Sequence, residues 1–94
     1  MIRVVIVYDI SNNKRRAKVS TYLEAYGSRV NRSVFECLFS SSKKLEILKV
    51  ALKEMVDKKT DSIRVYILCL TCIEKSESLC DTLQPFEKKS IFFF

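Results

Sequence analysis

IRVVIVYD occupies residues 2–9. Apart from Arg3, residues 2–8 are apolar and mostly β-branched. Such a run suits a central strand buried on both faces and ending at Asp9, about 23 Å long. Working outward, Ser11, Asn12 and Asn13 are capping residues, and Val19, Tyr22, Leu23 and Tyr26 follow at helical spacing. This predicts a first helix over about 13–26, roughly 20 Å long and so matched to the strand beneath it. Gly27, the only glycine, sits where a C′ residue would end that helix. SRVNRSVFECLF at 28–39 reads as one kinked strand or two short paired ones.

Ser40, Ser41 and Ser42 are N-cap candidates for a second helix with a stripe of Leu45, Leu48, Leu52, Met55 and Val56. A polar connector at 58–62 leads to IRVYILCL at 63–70, a second strand apolar on both faces apart from Arg64. Residues 71–89 carry an ambiguous helical hint and Pro85, which breaks any strand near it. SIFFF at 90–94 would be a sticky edge in water, so it is expected to pair with a sheet edge.

The order predicts an α+β, ferredoxin-like βαββαβ sandwich with an extra C-terminal strand, formed by one domain over residues 1–94. Both helices should cover one face of the sheet. Because strands 2–8 and 63–70 are apolar on both faces, the other face calls for a second subunit packed sheet to sheet, which predicts a homodimer.

At 94 residues the chain has room for one core, and 48% hydrophobic against 30% charged residues argues for a packed interior. The net charge of +6, hence +12 for a dimer, favours polyanionic partners. Absence of histidine removes the commonest general base, His-containing triads and His-ligated metals. No secretory leader precedes Cys37, Cys69, Cys72 and Cys80, so reduced thiols in a cytoplasmic protein are expected, with no membrane association.

Chemistry concentrates at the end of the first strand. Asp9 is the only acid among the first 23 residues. It reads either as a turn former bonding the Ser11 and Asn12 backbone or, if a twofold axis passes nearby, as one of two carboxylates sharing a hard cation with waters and phosphate oxygens. Lys14, Arg15, Arg16 and Lys18 crowd the start of the first helix, where cations oppose the helix dipole. That placement points to a phosphate held there, with Arg29 and Arg32 adding charge; a solvated basic face is the plainer alternative. Tyr8, Tyr22, Tyr26 and Phe35 are candidate base-stacking residues, although helical spacing favours a core role for Tyr22 and Tyr26. Cys69-Leu70-Thr71-Cys72 lacks further ligands for zinc, and a thioredoxin-like role would need the pair to open a helix after a strand. With Cys69 read inside or at the end of the strand, core and loop thiols are the favoured reading.

VYDI at 7–10, the basic helix start, YGSRVNRSVFEC at 26–37 and DSIRVYILCLTC at 61–72 together resemble the CRISPR-associated small nuclease family, the second of the Cas protein families. The likeness is collinear over roughly residues 1–75. It implies a ferredoxin-like homodimer whose C-terminal strand, here 90–94, adds to the partner subunit's sheet. It also implies spacer acquisition beside a CRISPR integrase subunit, and metal-dependent endonuclease or endoribonuclease activity on single-stranded RNA or double-stranded DNA. Asp9 would then bind Mg2+ or Mn2+ jointly with the Asp9 of a second copy, with Tyr8 beside it as a catalytic residue. Arg16, Arg29 and Phe35 match functional positions, and Lys18 falls where arginine is frequent, keeping the charge but losing the bidentate fork. The alternative is a non-catalytic DNA-binding scaffold bridging integrase subunits. A ferredoxin-like regulatory or toxin-type RNase would require the resemblance to be accidental.

Overall fold

The computed structural model describes residues 1–80 and 84–87. β1 spans Ile2–Asp9, α1 Asn13–Leu23, β2 Gly27–Asn31, β3 Val34–Phe39, α2 Ser42–Met55, β4 Ser62–Leu68 and α3 Leu70–Lys75, with a 3-10 turn at Pro85–Glu87. The strands form one sheet in the order β2-β3-β1-β4, and every neighbouring pair is antiparallel. This is the expected ferredoxin-like arrangement. β1 is hydrogen-bonded on both sides, as its run of apolar residues, interrupted only by Arg3, leads one to expect.

Alternation along β1 sends Val4, Ile6 and Tyr8 to one face, opposite Cys37 and Phe35 of β3. These residues form one cluster with Val19 and Leu23 of α1 and Leu45, Leu48 and Leu52 of α2, so both helices cover the same face. Burying each large apolar side chain there stabilises the fold by about 1.5–3 kcal/mol. Val5 and Val7 lie in the opposite row, in register with Tyr66 and Arg64 of β4. On that open face Leu38 and Tyr66 remain 44% and 45% exposed, which matches the missing cover inferred from the apolar strands.

The helix starts follow the capping residues. The Asn12 side-chain oxygen accepts from the Arg15 N–H at 2.9 Å, and the Ser41 hydroxyl accepts from the Lys44 N–H at 3.3 Å. Residues 28–39 resolve into two short paired strands, with the turn at residues 32–33 and a bulge between Arg29 and Asn31.

Two boundaries differ from the sequence reading. Helix α1 stops at Leu23 rather than Tyr26, because the Tyr26 N–H turns back to the Leu23 carbonyl at 2.9 Å and tightens the end of the helix. Gly27 is no helix cap: it opens β2 without a positive φ, and a Cβ there would lie 2.0 Å from the Glu36 carbonyl oxygen. The glycine is needed for close approach of two strands. β4 also ends earlier than the apolar run suggests, at Leu68, because Cys69 caps α3. The predicted C-terminal strand at 90–94 lies outside the described residues.

Candidate functional site

Strand alternation places Asp9 in the Val5–Val7 row, facing away from the helices, while its neighbour Tyr8 is buried on the helix side. At this end of the sheet, β1, α1 and the β2–β3 hairpin enclose an open cleft of about 710 Å³ whose lining includes Tyr8, Asp9, Arg16, Arg29 and Arg32. Two contacts tie the hairpin to the end of β1. The Tyr8 N–H donates to the Ser33 carbonyl at 3.0 Å, and the Tyr8 hydroxyl donates to the Arg32 carbonyl at 3.4 Å.

Each guanidinium is placed differently. Arg16 Nη1 donates to the Ile10 carbonyl at 2.9 Å and the Ser11 carbonyl at 3.4 Å, and its Nη2 donates to Asn13 Oδ1. Arg29 Nη2 donates to the hydroxyl of Ser20, a serine only 7% exposed on α1. The guanidinium carbon of Arg29 lies 5.6 Å from the centroid of the Phe35 ring, within cation–π range. Arg32 is exposed in the hairpin turn. Asp9 is the one acidic residue lining the same cleft, and it forms no ion pair among the described residues.

Other sequence candidates stand elsewhere. Phe35 is fully buried, stacked on Tyr8 with centroids 6.3 Å apart, so its ring supports Arg29 from below and does not line the cleft. Lys14 is exposed outside the cleft lining. Lys18 borders a separate shallow groove with Tyr22 and Met55. Arg15 turns toward the α2–β4 connector, where its Nε and Nη2 donate to the Asp61 carboxylate at 2.8 and 3.3 Å.

The hydrogen bonds from Arg15, joined by the Asp57 N–H at 2.9 Å, hold the Asp61 carboxyl below its ordinary value of 3.8. A depressed carboxyl pKa contributes stability above the unfolded-state value and loses it as pH falls through the folded-state value. Asp61→Asn is therefore expected to lower the urea midpoint at neutral pH, with the difference from wild type closing as the solution is acidified below pH 3.8. Urea titrations of both proteins across that range check it.

Sequence reasoning missed Asn13 and Ser20, which orient Arg16 and Arg29. A signal was present: Asn13, Arg16 and Ser20 fall at helical spacing on one face of α1, beside the apolar stripe. Two other acids near strand ends have partners of their own. Glu36 accepts from the Phe86 N–H at 2.6 Å, and Asp61 belongs to Arg15. Among the described residues no group of three or more His, Cys, Asp or Glu side chains that could hold a metal ion occurs, and the one carboxylate lining the cleft, Asp9, is of the hard-oxygen type that suits magnesium or manganese. No described helix is long and apolar enough to cross a membrane.

The sequence model for CRISPR associated protein Cas2 matches residues 1–76. Over 84 residues the chain is 42% identical to the CRISPR-associated endoribonuclease Cas2 4 of Rhodospirillum rubrum, covering 89% of this chain and 67% of that protein. The crystal structure of Streptococcus pyogenes Cas2 superposes with a TM-score of 0.70 at 34% identity, covering 83% of this chain and 99% of that one. A chain of the partial Cas6-RT-Cas1–Cas2 complex superposes with a TM-score of 0.74 at 31% identity, covering 84% of this chain and 91% of that one.

Proposed function

The chain belongs to the Cas2 family of CRISPR-associated proteins, and from that membership we propose that it serves spacer acquisition as a dimeric nucleic-acid-binding subunit beside a Cas1-type integrase, with metal-dependent endonuclease activity. The observation that carries this reading is the cleft in which Arg16, Arg29 and Arg32 surround the end of β1 beside the lone carboxylate of Asp9. Guanidinium groups recognise phosphate with paired donors. The chain as a whole carries +6, so electrostatic attraction to a nucleic-acid backbone extends beyond the cleft.

The open sheet face supports a homodimer. Asp9 continues the Val5–Val7 row, so a second copy packed on that face brings its own Asp9 toward the first. The strand at 90–94 would then pair with the partner subunit's sheet, in which β4 is an edge. Together the two Asp9 carboxylates would hold one Mg2+ or Mn2+, the remaining positions being taken by water and phosphate oxygens. When bound, the cation supplies activation of water and offsets negative charge on the phosphate under attack.

The chain's own residues do the positioning. Arg29, steadied by Ser20 and Phe35, and Arg32 grip phosphate oxygens along the strand being cut. Arg16 fixes the loop that follows Asp9 through the Ile10 and Ser11 carbonyls and turns its remaining donors to the ligand. Tyr8, pinned between Phe35 and the hairpin, sets the end of β1 from which Asp9 projects.

Labelled single-stranded RNA and duplex DNA, incubated with wild type and Asp9→Asn in magnesium or chelator, test the proposal. Cleavage that requires both Asp9 and the metal supports it. Salt-sensitive binding without such cleavage supports the second reading, a non-catalytic scaffold that holds DNA between integrase subunits, which the excess of guanidinium over carboxylate in the cleft favours.

Both readings share one expectation. Arg29→Ala should weaken binding to all sequences about evenly and lower the slope of log affinity against log salt by about one. Arg29→Lys should keep most of that slope while losing affinity, because the ammonium cannot reproduce the guanidinium fork over Phe35. Binding titrations at several salt concentrations measure both.

A further inference from the structure

The turn from β4 into α3 carries a feature that nucleic-acid chemistry does not use. Cys69 is the residue immediately before α3, and Cys72 lies in the helix's first turn. Both are exposed, and their Sγ atoms are 3.2 Å apart. The sequence reading placed Cys69 inside or at the end of the strand and favoured core or loop thiols; the observed placement is a C-x-x-C pair opening a helix directly after a strand. The other two cysteines differ: Cys37 is buried and Cys80 is exposed.

We propose that Cys69 and Cys72 form a redox-active dithiol that exchanges with low-molecular-weight disulfides, Cys69 as the attacking thiolate and Cys72 as the resolving thiol. The two positions are unequal. The Cys72 N–H donates to Cys69 Sγ at 3.3 Å, and this bond together with the Cys72 thiol holds the Cys69 thiol below its ordinary pKa. Cys72, facing that sulfur, is raised. A thiol of lowered pKa is the attacking partner at neutral pH. Burial, reinforced by Glu36, pushes the Cys37 thiol up to about 11, which leaves it unreactive.

In the first step the Cys69 thiolate attacks one sulfur of the small disulfide, breaking its S–S bond, forming a mixed disulfide and releasing one thiolate. Cys72 then gives up its proton to solvent and attacks Cys69 Sγ, closing the protein disulfide and expelling the second thiolate. The balance is one protein dithiol and one small disulfide giving one protein disulfide and two small thiols. Closure needs the sulfur atoms to approach from 3.2 Å to about 2.05 Å, a displacement within reach of side-chain rotation.

Fully reduced protein, freed of reductant under anaerobic conditions and treated with oxidised glutathione at neutral pH, provides the test by intact mass, thiol counting and peptide mapping. The expected product has lost two hydrogens, carries a Cys69–Cys72 bond within one chain, and keeps Cys37 and Cys80 as thiols. Cys72→Ser should trap a glutathionyl adduct on Cys69. In the untreated protein Cys69 should be alkylated about threefold to tenfold faster than Cys80. A glutathionyl adduct persisting on the wild-type pair, a disulfide between chains, or alkylation of Cys69 no faster than Cys80 would each overturn the proposal. Circular dichroism of Cys72→Ser shows that the trap is read on folded protein.

Discussion

Asp9→Asn should reduce metal-dependent cleavage of single-stranded RNA by on the order of 10²–10³-fold or more, with little loss of binding. The substitution is nearly isosteric, so the end of β1 and its pairing of Asp9 with Ser62 should survive. What changes is charge. In the proposed dimer each copy supplies one carboxylate, so the single mutation removes both carboxylates at the metal, and neutral amide oxygens hold a hard cation far less well. Among the described residues no group of three or more potential metal ligands stands in reserve. Binding should hold or rise slightly, since a negative charge has been removed from a cleft of guanidiniums that attract phosphate. The measurement is initial cleavage rate against magnesium concentration for both proteins, together with affinity in chelator. Equal rates for the two proteins would remove Asp9 from the reaction and leave the scaffold reading.

Gly27→Ala should destabilise the fold by about 3 kcal/mol or more, read as a fall in the urea midpoint at constant slope. The cause is contact with backbone. A Cβ at this position would meet the Glu36 carbonyl oxygen at 2.0 Å and the Cys37 Cα at 2.7 Å. Both atoms belong to β3, paired on one side to β2 and on the other to β1, so neither can withdraw without disturbing the centre of the sheet. Since no glycine in the chain has a positive φ, the loss comes from volume and not from a forbidden backbone angle. Serine, with a larger side chain, should therefore be no better tolerated than alanine. A loss under about 1 kcal/mol would mean that β2 can slide away from β3 cheaply.

Gly27 also shows what could be read from sequence and what could not. Its solitary position after a helical stripe resembles a helix terminator, and the strand that crowds it lies ten residues further on, at Cys37. Local pattern carries no trace of that approach. Elements with strong periodicity were legible: β1 from its continuous apolar run, and α2 from Leu45, Leu48 and Leu52, all buried as the spacing requires. The ferredoxin-like order followed from those elements. At the site, Asp9, Arg16, Arg29 and Arg32 were found by residue type and meet in one cleft. Arg15 was grouped with them by its neighbours, yet its partner is Asp61, 46 positions away, and long-range charge pairing leaves no local signature. Phe35 was selected as an aromatic, but its strand position beneath α1 decides its burial. The C-x-x-C spacing was visible, whereas the end of β4 at Leu68 that turns it into a helix opening was hidden by an apolar run continuing through Leu70.

The loop between β1 and α1 contains no glycine, and Arg16 gathers Ile10, Ser11 and Asn13 onto one guanidinium. Three anchors on one rigid plane are released together or not at all. The amides of this loop should therefore exchange with solvent deuterium in step with the opening of the first turn of α1, as one cooperative unit, where an untethered surface loop would fray residue by residue.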